Sequence, residues 1–579
     1  MQKKLLVQQT LFGALVTVVA MVALGATQDV WRANWHVPFY PVAGDTMSFL
    51  ATSIKGVLQE GSYGPNAHLG FPVGAEMRDY PAVDQSLLWL LDLASRLHIS
   101  WPVFFNGAYA FSFVVSSVVA AYCFRAVGIS YAMAACAGLL FGFSFFHVAR
   151  AYGHITFAWF DFLPAIACVM AVRLASVEPL QLLVRKRWSL VCGVFLLGLL
   201  LGVYFMTFAL MLWAFACTCS WASRPGAWSE LRDRVLLVAA ALAGFLVQTW
   251  PTAAWIRAHG AADNLRRHPI DSELYGLKLT SLLMPRPGHR IPALAAMAEG
   301  YIKSSVLTNE NRTASLGLIG SAGFIVCILA MLFAAEMAQK NKHGLSPSLV
   351  GRFLMFLFLV GTIGGVGSLV AHGGFPQIRS YNRISVYIMF FALCGAGLLV
   401  DRFVRQRAAH MAFAFLLTCI GLADTTQQPW AKSNVDAHLA RTKEFDQFVE
   451  KIEQALPERA AVLQLPDMLW PENGPVGDIM DYEHLRPYLH AKELRWSYGA
   501  SRNNPETHRF HQWANQPLHV VLADIHRMPF DAIWIDMRGY PADQHELMLA
   551  ELRQRCGEAI AHDEVSNIWV FRLPAPSKS

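Results

Sequence analysis

Arginine and histidine side chains gather at several places in this otherwise apolar chain, and the chemistry they share is the binding of an anion. A guanidinium suits phosphate because its planar fork donates two parallel hydrogen bonds. One group occupies the stretches IRAHGAADNLRRHPID and LLMPRPGHRI, and it consists of Arg266, Arg267, His268, Arg286, His289 and Arg290. These residues fall in a predicted outer loop, where basic residues are normally depleted, so they indicate an anionic ligand rather than topology.

Three further arginines, a histidine and a carboxylate interrupt or border apolar segments. In FFHVARAYGHITFAWFDFLP, Arg150 and His154 are four residues apart and would share one helical face; the alternative is a solvated turn. In IRSYNRISVY, Arg379 and Arg383 begin an apolar segment, and the alternative is that their long side chains only reach the interface. Asp161 is costly to place inside an apolar segment, which predicts a partner or an aqueous cavity for it.

A lone carboxylate stands between the first two long apolar segments. Asp45 lies in VAGDTMSF, where Gly44 permits an unusual backbone and residues 46 to 60 are predicted to form a helix lying across a membrane surface. Such a helix would aim the Asp45 carboxylate at the edge of the bilayer. Because Asp before a helix often accepts backbone N–H groups, the alternative is that Asp45 only caps the helix.

The same segment continues into NAHLGFPVGAEMRDYPAVDQSLLWLLDLASRL, whose glycines and prolines predict an irregular backbone before a second amphipathic helix. A loop too polar to enter lipid is expected to line a cavity, with Asp79 and Asp84 among its lining residues. The alternative for Asp84 is that it only caps the helix that follows it. Arg78 would either neutralise a phosphate or pair with Asp79.

The elements that must position these residues follow from composition. The 579 residues are 55% hydrophobic and only 15% charged, which is typical of a polytopic α-helical membrane protein. The net charge of +6 does not indicate nucleic acid, since Lys and Arg lie in short clusters between apolar runs. A helix needs about 20 apolar residues to cross the hydrocarbon core, and about eleven spans are predicted. They run roughly from 5 to 25, 103 to 124, 130 to 148, 154 to 173, 188 to 204, 205 to 222, 235 to 256, 314 to 336, 353 to 371, 384 to 401 and 409 to 425.

The Lys and Arg clusters alternate with these spans in the way that cytoplasmic loops require when the N-terminus is cytoplasmic. The opposite face then receives two long loops, 26 to 102 and 257 to 313. It also receives everything after about residue 426. We therefore predict a membrane domain over residues 1 to 425 and an extracytoplasmic domain over 426 to 579.

The C-terminal region changes character. AAVLQLPDML, LHVVLADI, FDAIWIDMRG and NIWVFRLP have the pattern of strands, and residues 435 to 456 and 543 to 556 have that of helices. This predicts a small α/β domain outside the membrane.

Several motifs of soluble enzymes are missing from the sequence. It has no P-loop, HExxH, GxSxG or CxxC motif and no metal-ligand spacing. GLIGSAG, at 317 to 323, is rich in glycine but opens an apolar segment, which favours close helix packing over phosphate binding. We therefore expect neither a cofactor nor a metal.

The chain resembles the GT-C superfamily of membrane glycosyltransferases. The resemblance is carried by the Gly-Asp after the first span, the first loop with two surface helices, the many spans and the C-terminal domain. It is closer to a bacterial subgroup called sugar translocases or uncharacterised glycosyltransferases, through NAHLGFPVG, HVARAYGHITFAWFDFLP, IRSYNRISVYIMFFAL and DYEHLRPYLHAKELRWSYGASR. The WWD signature of oligosaccharyltransferases is missing.

This resemblance implies a transfer of sugar from a polyprenyl-phosphate carrier to a glycan or lipid acceptor on the non-cytoplasmic face of a bacterial inner membrane. It implies that Asp45 is the general base, and that burial would raise its pKa towards working pH. The donor phosphate would be bound by cationic side chains, for which we choose Arg150, His154, Arg379 and Arg383, with Arg266 and Arg267 behind them.

Two other classes of function stay open. A transporter of lipid-linked sugars would use the same arginines, but it should carry deep charges and inverted repeats, and Asp161 is nearly the only deep charge. A non-catalytic partner in surface polysaccharide assembly would use only the outer domain, to bind glycan.

Overall fold

The computed structural model describes residues 2–28, 30–79, 85–176, 180–182, 187–260, 267–333, 345–427 and 432–574. Over these residues the chain is mostly helical, and it divides into two compact units. The first unit consists of Met1–Ala33, Gly107–Thr249 and Arg267–Trp430, and the second of Asn34–Asn106, Trp250–Arg266 and Ala431–Ser579.

Within the described residues, seven helices are long and apolar enough to cross a membrane. They are Lys4–Gln28, Trp101–Ala126, Tyr131–Arg150, Val203–Ser223, Trp228–His259, Tyr381–Phe403 and Arg407–Thr425. Four further apolar helices have 10–17 residues, which is short for a span, and they are Phe162–Ala175, Trp188–Leu200, Gly317–Leu332 and Pro347–Gly361. The prediction of a polytopic helical protein is confirmed, whereas the count of about eleven crossings is not.

The core of the first unit surrounds the helix Ser385–Phe403, most of whose side chains are buried. Gly317–Leu332 packs closely against it, since a Cβ added at Gly323 would lie 2.0 Å from the carbonyl oxygen of Ala392. The interpretation of GLIGSAG as a close-packing stretch is therefore confirmed. Short helices complete this unit, and they are Phe145–Gly153, Ile155–Trp159, Ile270–Leu274, Leu279–Leu283, Pro292–Ser304, Glu310–Thr313, Val366–His372 and Tyr381–Ile384.

The second unit contains two sheets. Strands β1 (Pro65–Asn66) and β2 (Ala75–Glu76) form an antiparallel pair. The five-stranded sheet has the order β4-β3-β5-β7-β6, and its strands are β3 (Ala461–Leu465), β4 (Arg495–Trp496), β5 (Ala532–Asp536), β6 (Ala561–Asp563) and β7 (Ile568–Arg572). β4, β3 and β5 are parallel to one another, while β7 runs antiparallel to both β5 and β6. The main helices of this unit are Gly44–Phe49, Leu50–Lys55, Gly56–Glu60, Gln85–Arg96, Lys432–Ala455, Arg486–His490, Pro505–Ala514, Leu518–Asp524 and His545–Cys556.

The predicted α/β character of the C-terminal region is confirmed, with one correction. Three of the predicted strands are present as β3, β5 and β7, and both predicted helices are present. LHVVLADI, predicted as a strand, is instead the helix Leu518–Asp524. Its buried apolar residues Val521, Leu522 and Ile525 recur at the spacing of one helical face. Burial of this face favours a helix here, although the β-branched residues of the segment favour a strand.

A segment of the first loop extends the edge of the five-stranded sheet. The Trp496 N–H donates to the carbonyl oxygen of His68 over 2.8 Å, and the Gly70 N–H donates to that of Tyr498 over 2.9 Å. Gly70 has a φ of +70°, and a Cβ there would lie 2.8 Å from the backbone N of Ala500. NAHLGFPVG and RWSYGAS therefore lie side by side and are joined by backbone hydrogen bonds, although they are far apart in sequence.

Candidate active site

Three short elements of the first unit bring charged side chains together. Arg150 lies on the helix Phe145–Gly153, and Arg383 lies on the 3₁₀ turn Tyr381–Ile384. Glu310 begins a third element, the 3₁₀ turn Glu310–Thr313. We call these three residues the Arg150–Glu310–Arg383 cluster.

The carboxylate of Glu310 accepts hydrogen bonds from both guanidiniums. Arg383 donates from Nε to Oε2 over 3.1 Å and from Nη2 to Oε1 over 2.9 Å. Arg150 donates from Nη2 to Oε2, also over 3.1 Å. His154 lies beside them, with its Nε2 3.9 Å from Oε1 of Glu310. Because Arg150 and Arg383 are both buried, these bonds form away from bulk water.

The electrostatics of the cluster leave a surplus of positive charge. Burial alone would raise the pKa of Glu310, but the charges of Arg383 and Arg150 outweigh burial and hold this pKa well below its usual range. Glu310 is therefore ionised, and two guanidinium charges face one carboxylate charge. The guanidinium of Arg383 also lies 4.3 Å from the ring centroid of Phe157 and 4.5 Å from that of Tyr204.

Arg150 retains unused donors. Its Nε and Nη1 are buried and have no hydrogen-bond partner among the residues that the structure describes. A buried donor without a partner is costly, and a second anion would satisfy it. The cluster is thus suited chemically to binding phosphate.

The other predicted cationic residues are placed as follows. Arg379 is half-buried, and its guanidinium lies 5.3 Å from the ring centroid of Tyr275. The carbonyl oxygen of Tyr275 accepts from both N and Nδ2 of Asn382, the residue before Arg383. Arg267 is half-buried and precedes the helix Ile270–Leu274, while Arg266 lies outside the described residues.

Asp161 has a partner, which was one of the two alternatives open from the sequence. Its Oδ2 lies 3.2 Å from Nδ1 of His147, whose Nε2 lies 2.8 Å from Oγ of Ser112. All three side chains are buried. This polar network is enclosed within the first unit.

Asp45 lies in the first turn of a helix of the second unit. The helix begins at Gly44, two residues earlier than predicted, and Gly44 has a φ of +57°. Ala43 occupies the N-cap position, so the alternative that Asp45 is the N-cap is wrong. Asp45 is exposed, so the burial expected from the family resemblance is not observed.

The helix that carries Asp45 is fastened to the DYEHLRPYLH segment. Lys55, at the end of a buried π-helical turn, donates from Nζ to the carbonyl oxygens of Tyr488 and Ala491, the latter over 2.5 Å. Burial lowers the pKa of Lys55 to about 7, against a smaller opposite effect from Glu453. At the other end of the helix, the indole Nε1 of Trp470 donates to Oγ of Ser48 over 3.4 Å.

A second carboxylate, Asp481, is close enough to Asp45 to respond to its charge. Burial raises the pKa of Asp481, neighbouring backbone N–H groups lower it in part, and the charge of Asp45 raises it further. Sequence reasoning missed both Asp481 and Glu310 as site residues. Asp481 begins the stretch most specific to the bacterial subgroup, which is the signal that could have found it. Glu310 has no periodicity or spacing that marks it.

Arg78 pairs with a residue other than the predicted one. Its Nε and Nη2 donate to Glu76 over 2.7 and 2.8 Å, and its guanidinium lies 3.9 Å from the ring centroid of Trp255. Asp79 instead accepts a hydrogen bond from Nε1 of Trp255 over 3.3 Å. Burial raises the pKa of Asp79, and that hydrogen bond lowers it in part. Asp84 lies outside the described residues.

The part of the chain that the structure describes offers no cluster of side chains that could bind a metal ion. No group of three or more His, Cys, Asp or Glu side chains there is placed to hold a metal ion.

Comparison with known proteins identifies the fold. No protein-family profile and no curated protein matches the chain. The arabinofuranosyltransferase AftD from Mycobacteria is similar in structure, with a TM-score of 0.51, 13% identity, and coverage of 97% of this chain and 40% of AftD. The chain therefore spans about two fifths of the length of AftD.

Two further solved structures match less closely. The oligosaccharyltransferase of Archaeoglobus fulgidus has a TM-score of 0.43 and 14% identity, with coverage of 93% of this chain and 71% of that protein. ArnT from Cupriavidus metallidurans has a TM-score of 0.39 and 13% identity, with coverage of 97% of both chains. The chain shares its fold with this arabinofuranosyltransferase, and a membrane glycosyltransferase fold is what the sequence resemblance predicted.

Proposed function

We propose that this chain is an inverting glycosyltransferase that takes a sugar from a polyprenyl-phosphate carrier and transfers it to a cell-surface glycan or lipid acceptor. The reaction would take place on the non-cytoplasmic face of a bacterial inner membrane, with the N-terminus cytoplasmic and the C-terminal region periplasmic or extracellular. The GT-C fold supports a transfer of this general kind. The observation that carries the proposal is the buried, positively charged Arg150–Glu310–Arg383 cluster.

The cluster would bind the phosphate of the donor. The two guanidinium charges exceed the one carboxylate charge, and Arg150 retains buried N–H donors that a phosphate oxygen would accept from. In the transfer step the bond between the anomeric carbon and the phosphate oxygen breaks, and the phosphate leaves with the electron pair. Fixed cations stabilise the charge that accumulates on this leaving group. In our proposal His154 and Arg379 contribute to the same field, with Arg266 and Arg267 behind them.

Asp45 would act as the general base. It removes the proton from an acceptor hydroxyl while the hydroxyl oxygen attacks the anomeric carbon from the side opposite the phosphate, which inverts the configuration. The exposed position of Asp45 leaves it accessible to an acceptor hydroxyl. Arg78, Asp79, Asp84 and Asp161 stay candidates for lining the substrate cavity.

The test is a substitution that changes charge and preserves shape. Asp45→Asn should reduce sugar transfer by at least about 100-fold, because general-base catalysis contributes about that much or more. Transfer would be followed by mass spectrometry of surface glycans in a strain that lacks the gene and expresses each variant. Asp92→Asn is the matched control, since Asp92 forms only an exposed ion pair with Arg96 in the same loop.

The outcome is decided by comparing the two variants at equal protein level in the membrane. Full transfer by Asp45→Asn would refute the assignment of Asp45. Glycans that are unchanged when the gene is removed would refute the transferase function itself.

A further inference from the structure

The carboxyl ends of three parallel strands in the second unit carry polar side chains. Asp467 follows β3, Tyr498 follows β4, and Asp536 ends β5. In sheets with parallel strands, ligands bind in the crevice beyond the carboxyl ends. The topology of this sheet therefore points to its carboxyl edge as a place for a ligand.

The hydroxyl of Tyr498 is the most informative group at this edge. Tyr498 is only 2% exposed, and its hydroxyl has no hydrogen-bond partner among the described residues. Burial and then the charges of Asp481 and Asp467 raise the pKa of Tyr498 well above its ordinary value. The hydroxyl therefore keeps its proton, lies within electrostatic range of those two carboxylates and is left with unused hydrogen-bonding capacity.

Two carboxylates beside Tyr498 offer acceptors. Asp467 is held in place because its Oδ2 lies 2.6 Å from Nδ1 of His511. Asp481 has one oxygen, Oδ1, that is buried and has no hydrogen-bond partner in the described part of the chain. The same Asp481 responds to the charge of Asp45. A hydroxyl donor, a buried acceptor and the proposed general base thus belong to one neighbourhood within one compact unit.

The charge of this neighbourhood restricts the class of ligand. One guanidinium of this unit, that of Arg538, is already committed, because it donates to Asp536 over 2.7 and 3.0 Å and to Glu483 over 2.7 Å. Carboxylates without a surplus cation repel anionic ligands and accept hydrogen bonds from neutral hydroxyls. The described residues provide no group of three or more metal-binding side chains. A neutral polyhydroxylated ligand fits this chemistry better than a phosphate or a metal ion.

We propose that this carboxyl edge binds an uncharged sugar of the acceptor, with Tyr498, Asp481 and Asp467 hydrogen-bonding to its hydroxyl groups. The proposal rests on the proposed glycosyltransferase function, and it deepens that function by making the acceptor a neutral glycan rather than a lipid headgroup or a charged sugar. The sugar hydroxyl nearest Asp45 is the one that becomes glycosylated.

Direct binding tests the proposal without the donor. The full-length protein in detergent micelles would be mixed with methyl glycosides of neutral hexoses, pentoses and 6-deoxyhexoses, and with glucuronic acid as a charged comparison. Ligand-observed saturation-transfer NMR would measure binding, and thermal unfolding would be followed in parallel. Tyr498→Phe is the main variant because it removes only the hydroxyl. Tyr63→Phe is the matched control, since its hydroxyl donates to the carbonyl oxygen of Met77 in the same unit.

The expected results separate a binding role from a structural one. At least one neutral glycoside should bind to the wild type, and Tyr498→Phe should weaken this binding at least tenfold. The melting temperature of Tyr498→Phe should stay unchanged or rise, because the lost hydroxyl had no partner. Tyr63→Phe should bind the glycoside normally and melt at a lower temperature. Asp481→Asn should also weaken binding.

Three results would overturn the proposal. These are no binding of any neutral glycoside to the wild type, normal binding by Tyr498→Phe, and tighter binding of glucuronic acid than of the neutral glycosides. These outcomes are distinguishable from failure of the proposed function. A protein that binds a glycoside through Tyr498 but transfers no sugar would refute the transferase assignment alone, and normal transfer without a Tyr498 effect would refute only the acceptor site.

Discussion

Replacing Glu310 by Gln should destabilise the first unit strongly, although the change is a single atom in size. The carboxylate accepts three hydrogen bonds from Arg150 and Arg383, and its side chain is only 17% exposed. A neutral amide would leave two guanidiniums facing each other with no anion between them. The substitution would also replace one acceptor oxygen by an NH₂ group, whose hydrogens would point at the N–H groups of the arginines.

The magnitude follows from two competing effects. Each guanidinium–carboxylate attraction is worth roughly 4 kcal/mol at an effective dielectric constant of about 20. Part of the lost attraction is offset, because the variant has no ionised carboxylate whose desolvation would cost free energy on folding. Removing one member of a buried ion pair costs about 3–5 kcal/mol in measured cases, and we expect a loss in that range for Glu310→Gln.

A double-mutant cycle in the free energy of unfolding is the decisive assay. Glu310→Gln, Arg383→Gln and the double variant would be compared in detergent micelles, with Glu299→Gln as an exposed control. The double variant should be at least about 2 kcal/mol more stable than the sum of the single losses predicts, since the second substitution removes one of the two unpaired cations and their mutual repulsion. Strictly additive losses, or a loss for Glu310→Gln no larger than for Glu299→Gln, would refute the electrostatic reasoning.

Two further predictions concern the second unit. Burial lowers the pKa of Lys55 to about 7 from 10.5. Between these two pH values the unfolded chain therefore binds more protons than the folded one, and the free energy of unfolding should rise with pH. The wild type should gain about 2 kcal/mol in unfolding free energy between pH 7 and 9, and Lys55→Met should remove this slope; an equal slope in both would contradict the burial of a neutral amine. Gly70→Ala should cost well over the roughly 1–2 kcal/mol that a left-handed backbone alone costs, since its Cβ would lie 2.8–2.9 Å from backbone atoms of Ala500 and Gly74. Gly61→Ala, with a φ of +78° and open space around the Cβ, should cost only the backbone part; equal melting temperatures for the two variants would contradict this.

Hydropathy and local periodicity predicted the parts of the fold that depend on short stretches of chain. The apolar helices and the strands β3, β5 and β7 are of this kind, because each is specified by its own residues. The strand prediction for LHVVLADI was wrong because its β-branched residues suit a strand, while its burial pattern suits one face of a helix. Span number was the least secure prediction, since four apolar helices are too short to decide by length.

The parts of the site that the sequence did not predict are set by contacts between distant segments. Glu310 meets Arg150 across 160 residues and Arg383 across 73 residues, and no local pattern encodes that meeting. The sequence did identify Arg150, His154 and Arg383, because charges are costly beside apolar segments and stand out for that reason. It also singled out the stretches that contain Asp45 and Asp481, but it gave no indication that hydrogen bonds would join these two stretches.

The composition of the second unit imposes a counting rule on the whole chain. Its three segments, 34 to 106, 250 to 266 and 431 to 579, pack into one compact unit, so in the proposed topology they lie on one side of the membrane. The chain between consecutive segments then crosses an even number of times, and the helix Lys4–Gln28 adds one crossing at the start. The proposed topology therefore has an odd total, with the N-terminus on the opposite side of the membrane from the C-terminal region. The seven described helices that are long enough to cross a membrane and the eleven spans predicted from hydropathy both satisfy this rule.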